Sequence, residues 1–384
     1  MDEEFSPLAP PSDPWPHLAR LRSQCPVTRY ENKNLSLVTA YAQARAALRN
    51  PLVYSSRVRP KANPEEHSLV STDPPDHTRL RKLINGAFPI ERIRKLEPRI
   101  REIANELLDA IDVTEPFDLV RDFTVPLPVT VIAELLGVDL ADRAKFKRWS
   151  DDTIHHDAGG EAARSGEEFR TWAREQIVDR RGSSAPADDL LTAVALAESD
   201  GRRLSEAEAA SMAVILVIAG NETTTNALGS AIHRLLAEPD LMARVRSDRV
   251  LIPNLVEETV RFDPPITALP RKARSDTELD GVGIPEGETV LVHLGAANRD
   301  PAVFDEPDRF DVDREGSHAH VGFGYGPHTC VGAPLARAEM AIGLDVLLER
   351  MPDLRPAPGH EPPQVGFFLI RGPASLVVEA GRGR

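Results

Sequence analysis

The sequence predicts a mainly α fold with small β-sheets, of the α+β class, and three observations point to it. Alanine, leucine, arginine and glutamate recur at helical spacing through most of the first half of the chain. Strand-like runs are short and scattered. One segment near the middle keeps a helical pattern for about 30 residues, with nothing to break it before Pro239.

Taken in order, residues 1–14 (MDEEFSPLAPPSDP) are acidic and proline-rich, which suits a flexible amino-terminal segment. They lack the basic and apolar regions of a signal peptide. Residues 26–30 and 35–39 suit strands, and helical spacing follows over 41–50, 77–87, 90–111, 127–136 and 161–180. Further strand signals lie at 288–293 and 375–379, and the closing GRGR suits a frayed end. Neither a low-complexity linker nor a repeat interrupts residues 15–380, which are expected to form a single domain.

Composition narrows the function classes. With 46 Lys and Arg against 60 Asp and Glu, the formal charge of −14 argues against general affinity for nucleic acid or an anionic membrane. A basic island nonetheless runs from Arg79 to Arg101, where eight basic residues face only Glu91 and Glu97. Two cysteines, Cys25 and Cys330, are too few for a disulfide framework or a four-ligand zinc site, so a reducing, cytoplasmic setting is expected. The longest apolar run, MAVILVIA at 212–219, falls far short of the roughly 20 residues of a membrane span.

The long helix should start at a capping box formed by Ser205 and Glu208 and extend about 45 Å. Its stretch from Met212 to Ala219 is apolar all round, which implies burial on every side. Gly220, Asn221, Glu222 and Thr223–Thr225 follow at once, and a carboxylate with β-branched hydroxyls is costly inside a buried helix. Either Glu222 faces a solvated edge and the threonines pack as small core residues, or Gly220 kinks the helix beside a pocket where acid and hydroxyl relay protons.

Downstream, Glu258 and Arg261 share one helical face and can pair, and residues 298–314 read as an ordered loop. Cys330 then sits in GFGYGPHTCVGAPLAR, residues 322–337. Thr329 stands where a dinucleotide-binding GxGxxG needs its last glycine, and no GK[ST] follows for a phosphate loop. A nucleophilic cysteine needs a placed base, and His328 lies on a turn too tight to supply one. An inert cysteine leaves the glycines unexplained. A metal-bound thiolate at a helix amino terminus accounts for more, because the dipole favours the thiolate and glycines admit a bulky flat ligand. With one thiolate and no second ligand nearby, the natural metal is one already held by four nitrogens, as in haem.

Phe323, Gly324, Gly326, His328, Cys330 and Gly332 spell F-G-x-G-x-H-x-C-x-G, which resembles the haem-binding signature of the cytochrome P450 monooxygenases of soluble bacterial type. AGNETT at 219–224 is similar to that family's oxygen-activating helix, Glu258 and Arg261 to its ExxR, and DPPDHTRLR at 73–81 to the start of its third major helix. The resemblance covers about residues 12–380 and implies the family's fold, with the long helix over a haem b.

It also implies roles. Cys330 would be the axial ligand of the iron, and His77, Arg81, Arg271 and His328 would bind the propionates. Phe323, Gly324, Gly332, Ala219 and Gly220 would contact the cofactor, while Glu222 and Thr223 would form the acid–alcohol pair that delivers protons. Glu258 and Arg261 would be structural, tied to the loop around Arg309. Ile215, Ile218, Ala219, Ile266, Thr267, Pro373 and Ala374 would line the substrate pocket. The segments from Tyr54 to Asp73 and from about 145 to 187 look short for roofing elements.

The implied activity is hydroxylation, or another oxidation, of a small and largely apolar organic molecule by O2. Two electrons would come from a separate ferredoxin or similar carrier with its reductase, drawn by the basic island and Arg337. A peroxide-driven oxygenase or an isomerase is the alternative, against which the Glu222 and Thr223 pair argues. A non-catalytic haem sensor or substrate-binding scaffold is a second.

Overall fold

A computed structural model of the chain describes residues 5–58, 68–87, 89–138, 145–146, 148–149, 152, 161–199, 201–365 and 368–380. Its helices, in chain order, are α1 (Trp15–Gln24), α2 (Tyr41–Arg49), α3 (Asp76–Ala87), α4 (Ile90–Asp109), α5 (Pro126–Leu136) and α6 (Glu161–Gly182). Then come α7 (Leu190–Leu196), α8 (Glu206–Ala237), α9 (Pro239–Ser247), α10 (Ile252–Phe262), α11 (Leu294–Ala297) and α12 (Ala333–Arg350). The five helices expected over 41–180 and the long helix all stand, each within about two residues of its expected ends. The capping box that starts α8 is reciprocal: Glu208 N–H donates to Ser205 Oγ at 3.1 Å, and Ser205 N–H donates to Glu208 Oε2 at 2.9 Å. Among the described residues no helix is long and apolar enough to cross a membrane.

The chain divides into two compact units, and the division falls inside α8 between Thr225 and Asn226. The first unit comprises residues 1–58, 226–333 and 354–378. Its largest sheet is built from β1 (Val27–Tyr30), β2 (Leu35–Val38), β3 (Tyr54–Ser55), β4 (Ala268–Ala273) and β5 (Thr289–His293), in the order β1-β2-β5-β4-β3. Only the β2–β5 pair is parallel. β4 was not foreseen, because ALPRKA mixes Pro270 with two cations and shows no clean alternation. Pairing with β5 along its whole length, from Ala268↔His293 to Lys272↔Thr289, holds it extended. One face of the sheet packs Val27, Val38, Val290 and Val292 against Tyr41, Ala44 and Leu48 of α2.

The same unit corrects the expectation of a loose amino terminus for residues 5–14. Phe5 is buried and stacks on His17 with ring centroids 5.8 Å apart, so apolar contact anchors the segment. Residues 1–4, and the expected frayed end at 381–384, lie outside the described residues.

The second unit holds residues 59–225, 334–353 and 379–384. α5 is nearly all apolar and is buried along most of its length, ending at Gly137 in the left-handed conformation (φ 68°) that a helix carboxyl-terminal cap requires. The basic island falls here, and it is not a free cationic surface. Arg92 pairs with Asp188 at 2.5 Å, Arg94 with Glu91 at 2.8 Å, Arg99 with Glu134 at 2.8 Å and Glu106 at 2.7 Å, and Arg101 with Asp345 at 2.6 Å. Arg79 pairs with Glu208. Acidic residues distant in sequence pair with Arg79, Arg92, Arg99 and Arg101, which a local count of charges does not register. Much of the two segments singled out as short, including residues 59–67 and 153–160, lies outside the described residues.

Candidate functional site

In the first unit, Cys330 is exposed and stands just ahead of α12, whose first residue is Ala333. The loop leading to it satisfies its own backbone: Gly324 N–H donates to Val321 O at 2.8 Å, Thr329 N–H to Gly326 O at 3.0 Å and Cys330 N–H to Phe323 O at 2.8 Å. Two of its glycines are required by conformation, since Gly324 (φ 73°) and Gly326 (φ 76°) lie in the left-handed region. Gly326 also leaves no room for a side chain, because a Cβ there would come within 2.9 Å of the Arg49 Cα on α2. A Cβ on Gly332 would lie at an ordinary contact distance of 3.9 Å from the Cys330 Sγ, so this glycine sits beside the sulfur.

Arg45 of α2 stacks on the Tyr325 ring at 4.1 Å and donates to its hydroxyl. That guanidinium holds the Tyr325 phenol below its ordinary range. Neither contact was legible in the sequence, since α2 and the loop are far apart along the chain.

Two further residues matched by resemblance belong to this unit. Arg271 on β4 is buried, with its Nη1 donating to Pro270 O at 2.9 Å. His328 Nε2 lies 3.0 Å from Ser56 Oγ, a partner no local pattern signals.

Behind the loop, α10 carries a fully buried knot. Arg261 donates to both carboxylate oxygens of Glu258, through Nε at 2.7 Å and Nη2 at 2.8 Å. Its remaining donors take the carbonyls of Asn298 (2.9 Å), Pro307 (2.8 Å) and Arg309 (3.1 Å). Glu258 Oε1 also accepts from Asp311 N–H at 2.8 Å and from Arg314 Nε at 3.1 Å. The expected tie to the loop around Arg309 therefore runs through that residue's backbone, and Arg314 completes it.

Of the proposed pocket residues in this unit, Ile266 is half-buried, Ala374 exposed, and Thr267 and Pro373 buried. The Thr267 hydroxyl donates to Phe368 O at 2.9 Å, so it is engaged in holding the 368–370 turn.

In the second unit, His77 is buried on α3 and Arg81 follows one turn later, on the same face and half-buried. α8 corrects two expectations. Its apolar stretch is not buried on every side: Met212, Ala213 and Val217 are buried, Ile215 and Ile218 are half-buried and Ala219 is exposed. Continuous hydrophobicity marks a helix that avoids water without saying which atoms cover it. The helix also runs unbroken through Gly220, where a Cβ would meet Ile132 of α5 at an ordinary 3.5 Å.

Glu222 is buried, which removes the reading that places it on a solvated edge. The Thr223 hydroxyl donates to the Ala219 carbonyl one turn back, at 2.7 Å. Beside it stands Glu339, which no sequence pattern signals: a buried carboxyl on α12 that bonds to the side chain of Thr224 and, among the described residues, leaves Oε2 without a hydrogen-bond partner. Burial pushes this carboxyl well above the usual range.

Chemically, one accessible sulfur on a glycine loop at a helix amino terminus can ligate a metal that brings its other ligands with it. Among the described residues no group of three or more His, Cys, Asp or Glu could hold an ion unaided. The donor set and the glycine cradle therefore fit an axial thiolate for a flat, metal-bearing cofactor.

Comparison with known proteins gives the same direction. A family profile described as Cytochrome P450 matches residues 155–365. The cytochrome P450 monooxygenase PikC of Streptomyces venezuelae is 39% identical over 97% of this chain and 92% of its own. The 6-deoxyerythronolide B hydroxylase of Saccharopolyspora erythraea is 39% identical over 88% of each. Among solved structures, substrate-free CYP109E1 from Bacillus megaterium superposes with a TM-score of 0.90 at 32% identity, covering 97% of this chain and 99% of that one.

Proposed function

The chain belongs to the cytochrome P450 family and is a haem b-dependent monooxygenase, and we propose that it hydroxylates a small, largely apolar organic substrate with electrons from a separate carrier. The observation that carries this reading is Cys330, held on a self-satisfied glycine loop ahead of α12 with its sulfur accessible.

When bound, haem supplies activation of O2 by two electrons and two protons, so that one oxygen atom enters the substrate and the other leaves as water. The protein's own groups do the rest. Cys330 would ligate the iron as thiolate, favoured by the α12 amino terminus. By the family resemblance Arg271, His328, His77 and Arg81 would hold the propionates, with Ser56 orienting the His328 ring. Phe323, Gly324, Gly332, Ala219 and Gly220 would contact the macrocycle.

Thr223 and Glu222 would handle protons. In the resting helix the Thr223 hydroxyl spends its hydrogen on the Ala219 carbonyl, so its oxygen lone pairs are the part left to accept. Exchange of that bond for one to an acceptor off the helix lets the same hydroxyl donate, and the buried Glu222 would return the proton. Ile215, Ile218, Ala219, Ile266 and Ala374 would meet the substrate, with Thr267 and Pro373 acting through the segments they brace. An apolar substrate suits these side chains, and the printed names of relatives, such as the hydroxylase of 6-deoxyerythronolide B, support a compound of that kind.

The electron carrier would be a ferredoxin or similar small protein with its reductase. The test is the absorption spectrum of the dithionite-reduced holoprotein with carbon monoxide. A strongly red-shifted Soret band is expected, followed by spin-state shifts on screening apolar compounds. A band typical of histidine or thiol ligation in undamaged protein overturns the reading.

A further inference from the structure

His320 lies upstream of the cysteine in the same loop and is buried, 8% exposed. Its Nδ1 accepts the Gly322 amide hydrogen at 3.1 Å. A ring nitrogen that accepts is unprotonated, so the neutral imidazole carries its hydrogen on Nε2. Nε2 in turn lies 3.3 Å from Oε2 of Glu257 on α10, a close polar contact rather than an aligned hydrogen bond. A carboxylate on that side attracts the Nε2 hydrogen and so favours the tautomer in which Nδ1 is the acceptor.

The Gly322 peptide has little freedom otherwise. A Cβ at this position would come within 2.6 Å of both the carbonyl oxygen and Cγ1 of Val260, so the backbone is pressed against α10. The preceding amide, Val321 N–H, is held by Asn298 Oδ1 at 2.7 Å. The following carbonyl, Phe323 O, accepts from the Cys330 amide at 2.8 Å. The Phe323 ring also sits 5.6 Å from the His320 ring.

The structure assigns His320 and Glu257 a positioning role for the thiolate: Glu257 favours the tautomer in which Nδ1 accepts, the imidazole holds the Gly322 amide, and the next residue, Phe323, holds the Cys330 amide through its carbonyl. This role rests on the reading of Cys330 as the iron ligand, and it involves neither the ligand set nor the Glu258–Arg261 pair. A histidine that merely filled space would be replaceable by any side chain of similar bulk.

The test compares holoprotein with H320L, H320N and E257Q. Leucine keeps bulk and removes the acceptor, whereas asparagine keeps an acceptor two residues before the Gly322 amide, as in an Asx turn. E257Q leaves the ring in place and serves if H320L does not fold. Two readouts are followed: conversion of the red-shifted ferrous carbon monoxide band to its displaced form, and amide hydrogen exchange over residues 320–332. H320L should convert about tenfold faster than wild type and lose protection in that loop, E257Q should do so less, and H320N should stay near wild type. Wild-type behaviour of H320L in both readouts would falsify the role. Equal damage by H320N and H320L would also overturn it, by marking the ring's shape as what matters. A wild-type protein with no red-shifted band instead sinks the thiolate reading, while hydrogen exchange still reports on the loop.

Discussion

The carboxyl of Glu339, on α12, bonds to the side chain of Thr224, the immediate neighbour of the threonine whose hydroxyl closes on Ala219. Glu339 is 1% exposed, so its carboxyl is cut off from water. Burial raises the carboxyl, so the folded chain keeps this proton after the unfolded chain has released it. Stability from this group is complete below its ordinary value of 4.5 and drains away as pH rises. Glu339→Gln removes the drain and keeps a hydrogen bond to Thr224. Urea unfolding at pH 5 and pH 8 should therefore show the variant gaining on wild type at the higher pH, and equal gaps at both pH values would refute a buried neutral acid.

His293 gives the opposite slope. Burial, helped by Arg371, pushes its imidazole down to about 4 from the usual 6.5. Between those values the unfolded chain takes up a proton that the folded chain refuses, so stability falls as pH is lowered through that window, by up to roughly 3 kcal/mol. Its Nδ1 caps α11 by accepting from Ala296 N–H at 3.1 Å, a bond asparagine can also make. His293→Asn should keep the cap and flatten the acid side of the stability profile; a profile unchanged from wild type would show that other groups dominate.

Glu258→Gln should be among the most damaging single changes. It leaves the Arg261 guanidinium, with 0% side-chain exposure, beside a neutral amide, and breaking such a buried pair costs about 3–5 kcal/mol. Thermal unfolding of the holoprotein should fall sharply, and haem retention should fall with it. A loss confined to below about 1 kcal/mol would place the pair among solvent-screened contacts.

Thr223→Ala removes the hydroxyl that bonds Ala219 and should leave binding spectra for haem and substrate nearly unchanged. Product formed per electron should drop about tenfold or more, with hydrogen peroxide accounting for the difference. Coupling equal to wild type would exclude the threonine from proton delivery.

The ion pairs of α4 bear on the electron carrier. Because Arg94 and Arg101 already face Glu91 and Asp345, their replacement by glutamine should change the rate of reduction by an acidic carrier by less than about twofold. Stopped-flow reduction across a salt series provides the check, and a large, salt-sensitive loss would restore the island as a docking surface.

What could be read from the sequence depended on the range over which each signal acts. Helix periodicity and the Ser205 and Glu208 capping box are local, set within a turn or two of chain, and appear where expected. Cys330, its loop and the ExxR pair were legible for the same reason: each is a short pattern whose chemistry fits inside a few residues.

Other features needed the chain brought back on itself. β4 is held extended by β5 beside it, and Arg79, Arg92, Arg99 and Arg101 of the basic island are paired because Glu208, Asp188, Glu134 and Asp345 return to them. Ser56, Arg45, Arg314 and Glu339, which reach His328, Tyr325, Glu258 and Thr224, lie tens to hundreds of positions from them. The sequence by itself determined the helices, the cysteine and its glycine loop, since torsional preference and side-chain chemistry are properties of short segments. Only the tertiary structure decided which charges are cancelled, which carboxyl is kept neutral and what holds the cysteine loop, because burial and long-range pairing follow from what the fold places nearby.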